Sequence, residues 1–187
     1  MKRLMFVFAL SLLISCGQEK QKDSNNEQQV GSTENTDILE SKTVGTALIG
    51  TFEFIYPNNT EDLIENHYIV INKVDGKYVG FYYGTSDEFD DAREGYYPGF
   101  FVAKMENLVL TSDSIMFTLN VPNEKILSKA VDLDIKSYEE AKEKGYENWP
   151  NEMQLKPKDY KGVILDQNSI FFKGEYEFMD KKFIRKK

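Results

Sequence analysis

The chain has one histidine and one cysteine, so chemistry that needs either group has a single place to start. His67 opens an apolar run beside Tyr68. As a general base it would need a nucleophile or an orienting carboxylate. No Gly-X-Ser-X-Gly elbow, phosphate-binding loop or dinucleotide fingerprint supplies one, so the plain reading is a structural or solvent-facing histidine. A zinc site built from histidine and cysteine is excluded by the same count. The run Asp87, Glu88, Asp90, Asp91 and Glu94 offers the oxygens that a hard cation wants. With Asp87 first in a calcium loop, however, the sixth position is Ala92, where the sharp turn needs glycine. A solvated loop between strands fits better. Two carboxylates converging across a cleft are the remaining route to catalysis, as in glycosidases. The expectation is a protein that binds and does not catalyse, without cofactor or metal.

Aromatic side chains are the stronger lead. The segment Gly95-Tyr96-Tyr97-Pro98-Gly99-Phe100-Phe101 puts four rings in and beside a Gly/Pro loop, and Trp149 lies in the other long connection. Rings in such places line a pocket mouth or form a contact patch, using apolar area with a polar tip. They can also fold back and plug the end of a domain. Tyr82, Tyr96, Tyr97 and Trp149 are the candidate ligand-binding residues, for a small apolar or sugar-like molecule. Docking of another protein through the same loops is the alternative.

The elements that must carry these residues are mostly strands. Residues 47–56 are rich in β-branched and aromatic side chains and stop at Pro57-Asn58-Asn59, a turn cluster. Residues 67–74 and 77–83 flank Asp75-Gly76, a two-residue hairpin signal that requires positive φ at both positions. That turn pairs Val74 with Lys77 and sets Ile71 opposite Gly80 and Ile69 opposite Tyr82. The other face of the hairpin carries Tyr68, Val70, Val79, Phe81 and Tyr83. Both faces are apolar, so the hairpin must be covered on two sides or lie in a tightly curved sheet. Leu110, Ser114, Ile115 and Phe117 recur as Leu165, Ser169, Ile170 and Phe172, two copies of a strand–turn–strand pattern in one sheet. Between them Ser137 followed by Glu140 has capping-box spacing, and Gly145 sits where a helix would end. The prediction is a mainly β domain over 44–187, an antiparallel up-and-down barrel or a sandwich of about eight strands with one short helix.

The N-terminus has a different character. Lys2 and Arg3 precede an almost wholly apolar run over residues 4–14, the charged and apolar regions of an export signal. A helix of that length reaches only about 16 Å, against a hydrocarbon core of roughly 30 Å. The run closes on Leu13-Ile14-Ser15-Cys16, which resembles the lipobox of bacterial lipoprotein precursors. The resemblance implies a leader over 1–15 that is removed, and lipid, three acyl chains such as palmitate, on Cys16. It also implies residence in the cell envelope by a membrane anchor. Gly17 stands where Gram-negative lipoproteins kept at the inner membrane carry Asp, which by resemblance favours the outer membrane, facing the periplasm or the cell surface. Residues 17–43 are rich in Gln, Glu, Asn, Ser and Lys and cannot bury enough surface to offset their ordering entropy. Behind Cys16 they form a polar tether, with an r.m.s. span of roughly 30 Å as a flexible coil.

With no cysteine beyond Cys16, no internal disulfide is available, and the domain must hold itself together by burial. The net charge of −8 argues against nucleic acid and against polybasic docking on anionic lipid. The Gly-containing aromatic strands, sequential hairpins and late helix are similar to those of small calycin-type barrels, the group that includes lipocalins. Gly50-Thr51-Phe52 is the nearest counterpart to the lipocalin Gly-X-Trp signature. The indole of that signature is missing here, so no ligand residue carries over. Within this frame the alternative partner becomes another envelope protein.

Overall fold

The computed structural model describes residues 48–86, 98–149 and 156–187. Cys16 with its leader and tether, the acidic run over 87–94, and Tyr96 and Tyr97 lie outside the described residues. Asp75 and Gly76 take φ values of 49° and 80°, the pair that a type I′ turn needs. They join β2 (His67–Val74) to β3 (Lys77–Thr85). The register runs from Val74 opposite Lys77, through Ile71 opposite Gly80 and Ile69 opposite Tyr82, to Tyr68 opposite Tyr83. It is the register the turn predicts.

β1 (Gly50–Phe54) pairs with β2 on one side and with β9 (Lys181–Arg185) on the other. From β9 the sheet continues through β8 (Ser169–Phe172), β7 (Lys158–Asp166) and β6 (Ser114–Leu119) to β5 (Glu106–Leu110). At the opposite edge β3 pairs with β4 (Phe100–Lys104). All nine strands are antiparallel to their neighbours, and the order is β4-β3-β2-β1-β9-β8-β7-β6-β5. The edge strands β4 and β5 are consecutive in the chain, separated only by Met105. They are two halves of one bent strand, and the sheet curls into a nearly closed barrel of eight staves. At the bend the Met105 amide donates to the Gly80 carbonyl (2.9 Å). A Cβ at Gly80 would collide with the Met105 sulfur, so the strand-interior glycine marks the close approach. The barrel, and not the sandwich, is the arrangement adopted.

Alternation along the strands fills the interior. Phe52, Ile69, Ile71, Tyr82, Phe101, Ile115, Phe117, Tyr160, Ile170, Phe172 and Phe183 form one buried cluster. Tyr82 is its hub, with ring centroids 5.6–6.2 Å from Phe101, Phe117, Tyr160 and Phe183. Such ring pairs add about 0.5–1.5 kcal/mol each beyond area burial.

The outer face of β2, β3 and β4 is covered as well. A short helix, α1 (Tyr138–Glu143), and the chain around it lie over that face. Ser137 caps α1 by accepting from the Glu140 amide (3.1 Å), while Glu140 accepts from the Lys136 amide (2.8 Å). Gly145, at φ 82°, ends the helix. Val70, Tyr83 and Val102 on the barrel meet Leu127, Ile135, Ala141 and Tyr146 from the covering segment. The Tyr83 hydroxyl donates to the carbonyls of Ile135 (2.7 Å) and Leu133 (3.1 Å) as alternatives, and Lys136 donates to it in turn (3.1 Å). Two apolar faces on one hairpin are thus explained by two cores.

Candidate binding site at the wide end of the barrel

The two ends of the barrel are built from different connections. One end has the two-residue turn at 75–76, a three-residue turn at 111–113 and a two-residue turn at 167–168. The other has the connections 55–66, 86–99, 120–157 and 173–180. At the narrow end Leu48 is fully buried, and the Arg185 guanidinium lies 4.6 Å from the Phe52 ring. Arg185 also donates to the carbonyls of Ile49 (2.9 Å) and Gln167 (2.6 Å). That end is sealed.

The wide end holds an open cavity of about 1000 Å³, at the upper limit of ordinary small-molecule sites. Among the described residues its floor is Tyr82, His67 and Thr85, and its walls include Phe54, Phe172 and Phe183. His67 is buried; its Nδ1 is hydrogen-bonded to the Tyr82 hydroxyl (2.8 Å) and its Nε2 to Thr85 Oγ1 (3.3 Å). The imidazole stands edge-on to both Phe54 and Tyr82. Of the two plain readings, structural or solvent-facing, the burial excludes the second, and the ring forms part of the cavity lining.

The rim is held by local hydrogen bonds. In the 55–66 connection Asn66 Oδ1 accepts from the Tyr56 amide (3.0 Å) and from Asn59 Nδ2 (2.7 Å). Asn66 Nδ2 donates to Glu53 (3.1 Å), and Asn59 accepts from the Glu65 amide (2.7 Å). In the 173–180 connection Asp180 accepts from the Gly174 amide (2.8 Å), and a single 3-10 turn spans Glu177–Met179. This closed loop presents Tyr176 and Phe178 as a parallel pair, centroids 5.6 Å apart, with 55% and 79% of their surface exposed. Phe178 lines the cavity mouth. Among the described residues, five lysines and three carboxylates also line it.

Of the residues singled out from sequence, Tyr82 lies on the cavity floor. Trp149 lies elsewhere: half-buried, it packs against the core cluster, and its amide donates to the Ile126 carbonyl (2.9 Å). A Cβ on Gly99 would collide with Ile126 and sit 2.9 Å from the indole, so glycine admits the ring there. Tyr96 and Tyr97 fall outside the described residues. His67, Phe54, Tyr176 and Phe178 belong to the site and were not singled out as ligand contacts. The signal for the last two was their place in a Gly-bounded loop between strands. Residue type alone does not distinguish such rings from core.

Four carboxyls outside the cavity lining are held below their ordinary values. Burial raises the Glu53 carboxyl, but hydrogen bonds from Tyr68, Lys186 and Asn66 outweigh it and leave the group below its ordinary value. Asp134, Glu139 and Asp166 are also lowered, by Lys144, by Lys125 and by the Asn168 amide respectively. Among the described residues, no three His, Cys, Asp or Glu side chains form a metal-ligand set. The chain matches no protein-family model, no curated protein and no solved structure.

Proposed function

We propose that this chain is a lipid-anchored cell-envelope protein, held at the outer membrane through Cys16, whose barrel binds a small molecule without catalysing a reaction. The observation that carries the binding half is the cup: an open, aromatic-walled space at the one end of the barrel where every connection is long. Apolar walls with a few convergent polar groups are the usual build of a small-molecule site. His67, Tyr82 and Thr85 provide the polar floor, and Tyr176 and Phe178 the exposed platform at the mouth. The anchoring half rests on the order of charge, apolar run and Leu13-Ile14-Ser15-Cys16 in the sequence.

Two measurements test the reading. Metabolic labelling with an alkyne fatty acid should mark the protein and fail to mark Cys16→Ser; equal labelling of both removes the anchor. For the cup, an uncharged aromatic probe, naphthalene carboxamide, should bind the full-length chain and shift the side-chain NMR signals of Phe178 and Tyr82. Absence of binding overturns the small-molecule reading. A second reading, a docking surface for another envelope protein, draws on the exposure of Tyr176 and Phe178 above a filled interior. Probe signals confined to those two rings, with Tyr82 unmoved, would favour it.

A further inference from the structure

We infer that the bare flank of the barrel docks a second copy of this chain, turned over about a twofold axis that runs along the flank's apolar stripe. The inference concerns the outer face of β5 to β9 and is independent of what the cup takes.

The two flanks of the barrel have the same need and different cover. On β2, β3 and β4 the outward Val70, Tyr83 and Val102 are buried under Leu127, Ile135, Ala141 and Tyr146. On β5 to β9 the outward residues are apolar as well, yet Val109, Val163, Leu165 and Ile184 stay 46–51% exposed. Register places them side by side. Val109 is opposite Met116, and Val163 is opposite Phe171. Met116 lies diagonally from Val163 across β6 and β7, and Ile184 lies diagonally from Phe171 across β8 and β9. Strands about 4.8 Å apart make this a continuous stripe roughly 20 Å long. Single surface valines are ordinary, but a contiguous apolar stripe marks an interaction site.

The margins of the stripe indicate what covers it. Towards the wide end it is edged by Lys161, opposite Met116, and by Lys182, opposite Phe171. Alternation between the inward Tyr160 and Gly162 turns Lys161 outward. Among the described residues neither lysine is in an ion pair. Towards the narrow end the stripe is edged by Asp113, in the turn at 111–113, and by Asp166, the last residue of β7. The Asn168 amide donates to Asp166 (2.7 Å) and keeps it ionised, with Lys182 adding its field. An apolar stripe with cations on one side and carboxylates on the other is complementary to itself. A half-turn about the stripe lays apolar surface on apolar surface and sets each lysine margin against a carboxylate margin. A partner of one charge sign would leave one margin facing its own sign. A second copy satisfies both.

Sedimentation equilibrium of the full-length chain tests this. The protein should be dimeric at about 100 µM, and Val163→Glu/Ile184→Glu should weaken association by about ten-fold or more. Charge reversal gives the sharper arm. Lys161→Glu/Lys182→Glu opposes like charges at both margins, and so does Asp113→Lys/Asp166→Lys, so each variant alone should be largely monomeric. An equimolar mixture of the two should dimerise again, because both margins are then matched. Mixing does not rescue a misfolded variant. A wild-type monomer at that concentration overturns the second copy and leaves the flank to a different protein. Association that survives Val163→Glu/Ile184→Glu overturns the flank as the contact. Reversed variants that stay apart when mixed overturn the twofold pairing.

Discussion

The two ends of this barrel use the same strands and reach opposite results. At the narrow end the connections are two or three residues long, and Leu48 and Arg185 fill what remains. At the wide end every connection is long, one of them crosses back to cover the barrel's flank, and large rings are left in water. Tight turns determine register and leave nothing free to bind. Long connections cost closure entropy only slowly with length, so the wide end has room for function. Tyr82 divides the two: below it the interior is packed, above it the cup is open.

Removing that partition should have the largest effect. Tyr82→Ala takes away the hub of the aromatic cluster and the hydroxyl bonded to His67, at a cost of about 3–5 kcal/mol by analogy with other large core truncations. Urea unfolding measures it, and a loss under about 1 kcal/mol would mean that the interior is not packed as described. Next comes the seal: Arg185→Ala leaves the Ile49 and Gln167 carbonyls without their guanidinium partner and should cost about 1–3 kcal/mol. Probe affinity at the other end should stay the same, and a change in both would show that the ends are coupled.

The covering segment gives a smaller, pH-dependent effect. Burial raises the Tyr83 phenol well above its ordinary value of 10.0. Above that pH the unfolded chain releases this proton while the native protein keeps it, so native stability falls as pH rises from 10.0 towards the raised native value. Below 10.0 this contribution is fully present. Tyr83→Phe removes the titrating group, and its melting temperature should decline less steeply over that alkaline window than that of the parent. The smallest effect on stability is expected at the rim. Phe178→Ser should change unfolding free energy by no more than about 0.5 kcal/mol while weakening probe binding. A large destabilisation would identify the exposed ring as core.

Local features were legible in the sequence wherever chemistry within a few residues decides the conformation. Asp75-Gly76 determined a turn and with it a register; Ser137, Glu140 and Gly145 bounded α1; the repeated pattern around Ser114 and Ser169 became the hairpins β5–β6 and β7–β8. The bend at Met105 left little trace, because it depends on Gly80 from a distant strand. Nor did composition reveal which side of an apolar strand is covered. Val109, Val163 and Leu165 look like core in the sequence, yet each is exposed by about half on the bare flank. The site was least legible of all. His67, Lys158, Phe178 and Lys181 come together only when β1 has paired with β9, so no spacing along the chain could have grouped them.

That pairing of β1 with β9 has a practical consequence. Gly50 and Arg185 both lie at the sealed pole, so the polypeptide enters and leaves the barrel there, while the cup opens at the opposite pole. A fluorescent reporter or a sensor chip could be coupled just after Arg185 without blocking the opening, a geometry suited to a biosensor. Because the first stave must also wait for the last, a nascent chain cannot shut the barrel until its C-terminal residues have left the ribosome.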